Sequence, residues 1–344
     1  MGKENASLLE LKDVSKVYRT KGGFFGEKGR VVRALDHLSF KIQEGEIFGL
    51  VGESGSGKTT CGRLIVRLEE PQGGKIFLNG KEITALKGKA LKAYRRKVQM
   101  IFQDPYQSLN SQLSIFESIA EPLIIHKMGD GAARRQRVLT MLRTVGLTPP
   151  EEFINRYPHQ VSGGQRQRIA IARAMILEPQ FVVADEPTSM LDASYSAKIF
   201  NILLDVRAKL KVTILFITHN LAAARYLCDR IAVIYRGRLV EVGPAGEMIQ
   251  NPRHPYTQAL IDALPKFGHR GDARHYDTLC VAPRQAPQAN GCAFFARCKR
   301  CHDTQCGSEI PSFQAVGPSH YVACHFLEPA DPPLMENDQC LCGG

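Results

Sequence analysis

Residues 52–59 read Gly52-Glu53-Ser54-Gly55-Ser56-Gly57-Lys58-Thr59, after the apolar run Glu46-Ile47-Phe48-Gly49-Leu50-Val51 and before a helix-like stretch from Thr60 to Leu68. This is the G-x-x-x-x-G-K-[ST] phosphate loop between a strand and a helix. Glycines let backbone N–H groups turn inward around a phosphate chain, and the helix N-terminus behind them carries roughly half a positive charge. Lys58 is expected to reach the β- and γ-phosphates, and the Thr59 hydroxyl to hold Mg²⁺. A Gly-rich stretch alone is only a turn. With Lys-Thr in place, in this setting, it predicts a bound nucleoside triphosphate.

Outward from the loop, Leu8 to Tyr18 and Val31 to Ile42 read as strands on either side of a Gly- and Lys-rich loop at residues 19–30. Pro71-Gln72-Gly73-Gly74 is a turn and Lys75 to Leu78 a short strand. From about Gln107 to Tyr157 the pattern becomes helical and polar, which predicts a helical insert. Arg166 to Leu177 reads as a helix, Phe181 to Ala184 as a buried strand, Ser194 to Leu210 as a helix and Val212 to Thr218 as a strand. Strands alternating with helices imply a parallel α/β sheet covered on both faces. From Asn251 the chain turns Pro-rich, then Cys-rich, and loses periodicity, so a boundary is expected near residue 250.

The bulk numbers narrow the class. The 344 residues are 44% hydrophobic and 23% charged, ordinary for a globular chain with room for two or three domains. No apolar run approaches the roughly 18 residues a membrane span needs. Met1 to Ser7 has no apolar signal core, and Ala6 breaks the myristoylation pattern. The expectation is a protein that starts in the cytosol and does not itself cross a membrane. A net charge of +11 suits nucleotide phosphates, an anionic membrane face or nucleic acid, or is simply a solvated basic surface. No basic run interleaves with aromatics, so nucleic acid is not the expected partner. Of ten cysteines, Cys61 and Cys228 lie early and eight follow residue 279, which in a cytosolic chain points to metal or cluster binding before disulfides.

Two further constellations carry chemistry. Phe181-Val182-Val183-Ala184 ends in Asp185-Glu186. The first acid suits Mg²⁺ coordination and the second suits orienting or deprotonating an attacking water. Val161-Ser162-Gly163-Gly164-Gln165 precedes the Arg166–Leu177 helix, and Ser with two glycines at a helix start makes a second anion site. One nucleotide cannot easily use both anion sites of one compact domain. The economical reading is that the second meets a nucleotide held by another subunit.

In this order the motifs resemble the ATPase subunit of an ATP-binding-cassette transporter, over nearly the whole chain. Gly52 to Thr59, followed by Thr60, corresponds to the Walker A loop, and Asp185 and Glu186 to the Walker B pair. Tyr18 resembles the aromatic that stacks on adenine. Gln103, in Met100-Ile101-Phe102-Gln103-Asp104-Pro105, resembles the Q-loop glutamine that touches Mg²⁺ and couples to the membrane partner. Ser162, Gly163, Gly164 and Gln165 resemble the signature, with Val161 in place of the usual Leu or Phe. Ser189-Met190-Leu191-Asp192 resembles the D-loop, with Met where Ala is commoner, and His219 the switch histidine. The resemblance implies a P-loop NTPase fold of α/β class: a RecA-like core, an antiparallel β subdomain and a helical subdomain at about 107–160, all within residues 1–250. Residues 251–344 would form a small Cys-rich extension. ATP and Mg²⁺ are the implied ligands, with Glu186, His219 and Gln103 in catalytic roles and Thr59, Gln103 and Asp185 around the metal.

The tail narrows the subfamily. Asn251-Pro252-Arg253-His254-Pro255-Tyr256-Thr257 resembles the NPxHPYT segment of the peptide/nickel importer group. Phe24-Phe25-Gly26 and the Phe102–Asn110 stretch look more like the second of that group's two paired ATPases. Cysteines similar to Cys292, Cys298, Cys306 and Cys324 hold a [4Fe–4S] cluster in some members. The third cysteine usually lies one residue closer, so Cys301 stands as an alternative ligand. Zinc and free thiols remain alternatives by donor chemistry. Cys340 and Cys342 have no assigned role. The implied partners are a second cassette (a paralogue or a second copy), two transmembrane permease subunits and an extracytoplasmic substrate-binding protein. The implied location is the cytoplasmic face of the inner membrane. Peptide, nickel, glutathione or oligosaccharide cargo all fit the group, and a soluble nucleic-acid-acting cassette ATPase is the reading from another class.

Overall fold

The structure, a computed structural model, describes residues 7–19, 31–263, 290–301 and 303–327. From the N-terminus it has strands β1 (Ser7–Arg19), β2 (Val31–Gln43) and β3 (Ile47–Val51), helix α1 (Lys58–Ile65), strands β4 (Gly73–Leu78) and β5 (Lys81–Glu82), helix α2 (Gly88–Lys97) and strand β6 (Val98–Ile101). Helices α3 (Pro105–Ser108), α4 (Ile115–Ile125), α5 (Gly131–Thr144) and α6 (Gly163–Met175) follow. Next come β7 (Phe181–Asp185), α7 (Ala193–Leu210), β8 (Thr213–Thr218), α8 (Leu221–Leu227), β9 (Arg230–Tyr235) and β10 (Arg238–Pro244). The last part holds α9 (Ala245–Gln250), α10 (Pro255–Asp262), α11 (Asp303–Ser308), β11 (Phe313–Gly317) and β12 (His320–Ala323).

Strands β3, β7 and β8 are buried along their whole lengths, as continuous apolar runs covered on both faces must be. They sit mid-sheet in an eight-stranded sheet of order β11-β12-β10-β9-β3-β8-β7-β6. The pairs β9–β3, β3–β8, β8–β7 and β7–β6 are parallel. Register then decides where the chemistry lies. Val51 pairs with Thr218, Asp185 with Ile217 and Ile101 with Ala184. The C-terminal ends of four adjacent strands therefore fall in one row, and the phosphate loop, Asp185-Glu186, His219 and Gln103 all follow from that row. Open parallel sheets bind ligands in this crevice.

A second sheet, of order β2-β1-β4-β5 and antiparallel throughout, packs over one face. Phe40 of β2 stacks on Phe48 of β3 at 5.3 Å, in a core shared with Leu64 and Ile65 of α1. Fully burying each such side chain contributes about 1.5–3 kcal/mol. The other face is covered by α6, α7 and the helical region α3–α5, in a second core that includes Ile119, Leu142, Ile169 and Phe216. Ser114 and Glu117 form a capping box at α4, and the Asp130 carboxylate caps α5.

The tail contributes strands that its sequence pattern did not announce. Strand β12 pairs with β10 of the main sheet, Glu241 opposite Val322 and Val242 opposite Tyr321, and β11 forms the outer strand. Phe24-Phe25-Gly26, Cys340 and Cys342 lie outside the described residues. Among the described residues no helix is long and apolar enough to cross a membrane.

Candidate nucleotide site

The phosphate loop is shaped by close approach. A Cβ on Gly52 would stand 2.2 Å from the Ile234 carbonyl oxygen. Gly57 has φ +106°, and a Cβ there would stand 2.3 Å from the Ala34 carbonyl oxygen. Only glycine permits both. The turn between β9 and β10 braces the loop, because the Gly237 N–H donates to the Ser56 carbonyl at 2.9 Å. Lys58 is buried, and its Nζ donates to the carbonyls of Gly52 and Glu53, each at 2.8 Å. The buried Ser56 hydroxyl has no hydrogen-bond partner among the described residues. A loop that holds an orphaned hydroxyl and an ammonium hydrogen-bonded to its own carbonyls is prepared for an anion.

The acids close on this loop. Thr59 Oγ1 donates to Asp185 Oδ1 at 3.2 Å. Glu186 receives Gln103 Nε2 at 3.2 Å on Oε2, while His219 Nδ1 lies 3.1 Å and Lys58 Nζ 4.0 Å from Oε1. Glu186 has φ +43°, a left-handed backbone that costs a non-glycine residue about 1–3 kcal/mol. Its N–H donates to the Ile217 carbonyl at 2.9 Å, which holds the turn. Burial pushes the Asp185 carboxyl up to about 6; the Thr59 hydroxyl pulls it down, the Glu186 charge pushes it up, and Lys58 pulls it down. Burial likewise pulls Lys58 below the usual lysine range, against Glu186, Asp185 and Glu53. The donor chemistry fits Mg²⁺: hard hydroxyl and carboxyl oxygens side by side, with a buried acid whose ionised form a cation would stabilise.

Other predicted residues lie at the rim or apart. Tyr18 ends β1 near Thr60, donates its hydroxyl to Glu69 and carries Lys16 Nζ 5.2 Å from its ring centroid. Ser162 caps α6: its Oγ accepts the Gln165 N–H at 3.3 Å, and Gln165 Oε1 accepts the Ser162 N–H at 3.0 Å. The helix therefore begins at Gly163, three residues before the expected Arg166. Asp192 caps α7, accepting from the Tyr195 N–H at 3.0 Å and Ser194 Oγ at 2.9 Å. A Cβ on Gly164 would meet the Tyr195 ring at 2.9 Å, so the signature-like turn and the start of α7 touch. Among the described residues no hydrogen bond or ion pair joins Ser162–Gln165 to the phosphate loop.

Sequence reasoning missed several contacts. Arg166 stands 3.7 Å over the Tyr106 ring, and its Nε donates to the Pro158 carbonyl at 2.9 Å. That fastens the start of α6 to the segment after Gln103. A groove of about 250 Å³, lined by Met100, Ile101, Phe102, Ile125, Ala170 and Arg173 among others, opens beside the same segment. The role of the HPYT segment was also hidden. Glu241, fully buried, accepts the N–H groups of Arg253 and His254 at 2.8 and 2.9 Å and meets His320 Nε2 at 2.7 Å. The one carboxylate thereby ties β10, the Pro252–Pro255 turn and β12 together. Burial pushes His254 down to about 4, so it is a neutral acceptor for the Tyr256 N–H.

Cys292, Cys298, Cys301, Cys306 and Cys324 do converge on one cavity, of about 20 Å³. Burial raises the Cys292 thiol to about 11, the Cys298 thiol to about 12, and Cys324 as well. As folded, no three His, Cys, Asp or Glu side chains among the described residues form a group that could hold a metal ion.

Comparison with known proteins agrees with this geometry. Residues 35–189 match the ABC transporter family model, and residues 240–306 match the model for the oligopeptide/dipeptide transporter C-terminal region. The oligopeptide transport ATP-binding protein AppF of Bacillus subtilis is 41% identical over 322 residues, 93% of this chain and 97% of that protein. The di/tripeptide transport ATP-binding protein DppF of Pseudomonas aeruginosa is 41% identical over 323 residues, 94% of this chain and 98% of that protein. Among solved structures, a dimeric post-hydrolysis state of the ATP-binding cassette MJ0796 bound to ADP and Pi matches with TM-score 0.61 and 33% identity, covering 69% of this chain and 98% of that one. The phosphate loop, the strand-end acids and relatives 41% identical over more than nine-tenths of the chain converge: the chain belongs to the ABC transporter family, as an ATP-binding subunit with the oligopeptide/dipeptide-type C-terminal region.

Proposed function

We propose that this chain is the ATP-hydrolysing motor of a peptide importer, working as one half of a cassette dimer. The observation that carries the reading is the Glu186 carboxylate, held at once by Gln103, His219 and Lys58 beside the phosphate loop. On ATP binding, Lys58 exchanges the Gly52 and Glu53 carbonyls for phosphate oxygens. Glu186 orients the attacking water and takes its proton. His219 holds the γ-phosphate in line with that water, and Gln103 keeps the carboxylate aimed. Thr59 and Asp185 would hold Mg²⁺, which when bound neutralises charge on the β- and γ-phosphates. Tyr18 offers its ring to the adenine.

Ser162 to Gln165 and Asp192 are proposed to serve the nucleotide of the partner cassette, itself a paralogue or a second copy. The groove beside Gln103 is proposed to seat a permease subunit, so that movement of the Gln103 segment reaches the membrane. Two permeases and an extracytoplasmic binding protein complete the assembly, with this chain on the cytoplasmic face. The cassette is taken to span residues 1–250 and the extension 251–344, although β12 extends the cassette sheet. Peptide cargo is supported by the names of AppF and DppF and by the C-terminal match. The cysteine cavity is proposed as the site of a [4Fe–4S] cluster, or of zinc. Its donors fit by chemistry but not by their separations as folded, so no step of the mechanism depends on it.

The test is reconstitution with the permease and binding-protein subunits. Di- and oligopeptides should stimulate ATP hydrolysis. Stimulation by nickel, glutathione or oligosaccharide alone would overturn the peptide reading.

A further inference from the structure

The phosphate loop is held from a direction that the cassette motifs do not include. Glu53 is the only acid among residues 52–59. Its side chain is bound by Arg297, whose Nη1 donates to Oε1 at 3.1 Å and to Oε2 at 2.9 Å. Its backbone N–H donates to the Tyr256 hydroxyl at 2.9 Å. Its carbonyl accepts Lys58 Nζ at 2.8 Å. Thus one loop residue meets the phosphate-binding lysine on one side and two residues of the C-terminal extension on the others.

The extension's two groups are themselves built in. Tyr256 is fully buried and Phe294 nearly so. The rings of Tyr235, Tyr256 and Phe294 form a cluster with centroids 4.6, 5.2 and 5.4 Å apart. The Arg297 guanidinium lies 5.8 Å from both the Tyr235 and the Phe294 centroids. A short turn, Phe295–Arg297, delivers it. An arginine over two rings is pre-organised, so little order is lost when it meets a carboxylate.

We propose that Arg297 and Tyr256 are positioning residues for the nucleotide: the C-terminal extension is a clamp on the phosphate loop. The inference rests on the nucleotide reading of that loop and adds the extension to it. Two physical effects follow. An unpaired Glu53 carboxylate would repel an incoming triphosphate, and Arg297 neutralises it. The Tyr256 hydroxyl satisfies a loop N–H and so fixes the Gly52–Glu53 peptide, whose Gly52 carbonyl holds Lys58 until the phosphates receive it. Both effects act on nucleotide affinity and leave the chemical step to Glu186 and His219.

The experiment is MgATP titration by calorimetry on the full chain, with steady-state hydrolysis in parallel. Arg297→Ala should raise the MgATP Kd about three- to tenfold, the range set by a partly exposed ion pair and a nearby charge in an effective dielectric of about 20. KM should rise with it, while kcat at saturating ATP stays within about twofold. Adding Glu53→Gln in the Arg297→Ala background should return Kd most of the way, because the repelling charge is gone. Tyr256→Phe keeps the ring packing and should raise Kd about threefold through the orphaned N–H. Wild-type Kd in both single variants would overturn the clamp. So would an Arg297→Ala loss that Glu53→Gln leaves unrepaired, since that pattern marks a structural role. Failure of the wild-type chain to bind MgATP would overturn the nucleotide reading and the clamp together.

Discussion

Replacing Glu186 by Gln isolates its charge from its shape. The side chain is 14% exposed and meets Gln103 Nε2 at 3.2 Å, His219 Nδ1 at 3.1 Å and Lys58 Nζ at 4.0 Å. An amide is isosteric and still accepts one hydrogen bond, so packing survives. The loss of one carboxylate beside a buried ammonium costs the fold about 1 kcal/mol. Part of that returns at Asp185, because the Glu186 charge is one cause of its raised pKa. Nucleotide binding loses little, since the triphosphate gains a neutral neighbour in place of an anion. Hydrolysis loses a general base, about 10²–10⁴ in rate, or roughly 2.7–5.5 kcal/mol of barrier. Single-turnover hydrolysis of radiolabelled ATP at saturating enzyme reads the chemical step, and filter retention of unhydrolysed ATP reads binding. The expected result is a rate at least 100-fold lower with Kd within about threefold of wild type. A rate lowered less than about tenfold would refute Glu186 as base, whatever happened to Kd.

His219→Ala should lower kcat about 10²-fold and leave MgATP Kd within about threefold; equal losses in calorimetry and turnover would mark a structural histidine. Gly52→Ala drives a Cβ to 2.2 Å from the Ile234 carbonyl, so MgATP affinity should fall more than about tenfold in calorimetry, a loss no flexible neighbour can relieve. His254 carries a pH signature. Its native pKa, pushed down to about 4, lies below the unfolded value of about 6.5. Its contribution is therefore present above about pH 6.5 and is lost as pH falls toward 4, by up to about 3 kcal/mol. Urea unfolding from pH 7 to pH 4.5 should show that slope, and His254→Gln should flatten it. Iron, sulfide and zinc analysis of anaerobically purified protein, with a visible spectrum, decides what the five gathered thiols hold; metal-free protein with all thiols titratable would remove the cluster proposal.

The clustering of the phosphate loop, Asp185-Glu186, Gln103 and His219 was legible because its parts are local. A phosphate loop, a double acid and a histidine each follow an apolar run, and parallel pairing in register brings the ends of those runs together without further information. The start of α6 was misjudged by three residues because its glycines carry no apolar period, although the Ser162 cap and the Gln165 return were visible as a capping box. The β9–β10 hairpin went unread for a related reason. Its two-residue turn, Arg236-Gly237, has both φ values positive, and the expected Asn or Asp at the first position is an arginine. Strands β11 and β12 were hidden because β11 is mostly exposed and presents no alternation. Arg297 was unreadable in principle: its partner lies 244 positions away, and nothing around it in sequence marks an arginine that will stack on Tyr235.

What separates the two kinds of site is how their polar groups are already satisfied. Around the phosphate loop, Lys58 is hydrogen-bonded by carbonyls that a phosphate can replace, and the Ser56 hydroxyl has no partner among the described residues. At Ser162 and Asp192, the side-chain oxygens cap their own helices. The anion-binding capacity left at the second site is the backbone of α6's first turn, with Ser162 and Gln165 exposed or partly exposed beside it. A weak site of that kind gains affinity only when a nucleotide already held by a strong loop is brought to it. With Ser162 to Gln165 meeting a partner's nucleotide, as proposed, that asymmetry would make ATP the joint between two cassettes. Whatever sets the conformation of the phosphate loop then also sets how readily the cassettes join. Arg297 and Tyr256 bind Glu53 of that loop, so under the proposed clamp the extension's grip should govern closure of the pair as well as the affinity of one chain.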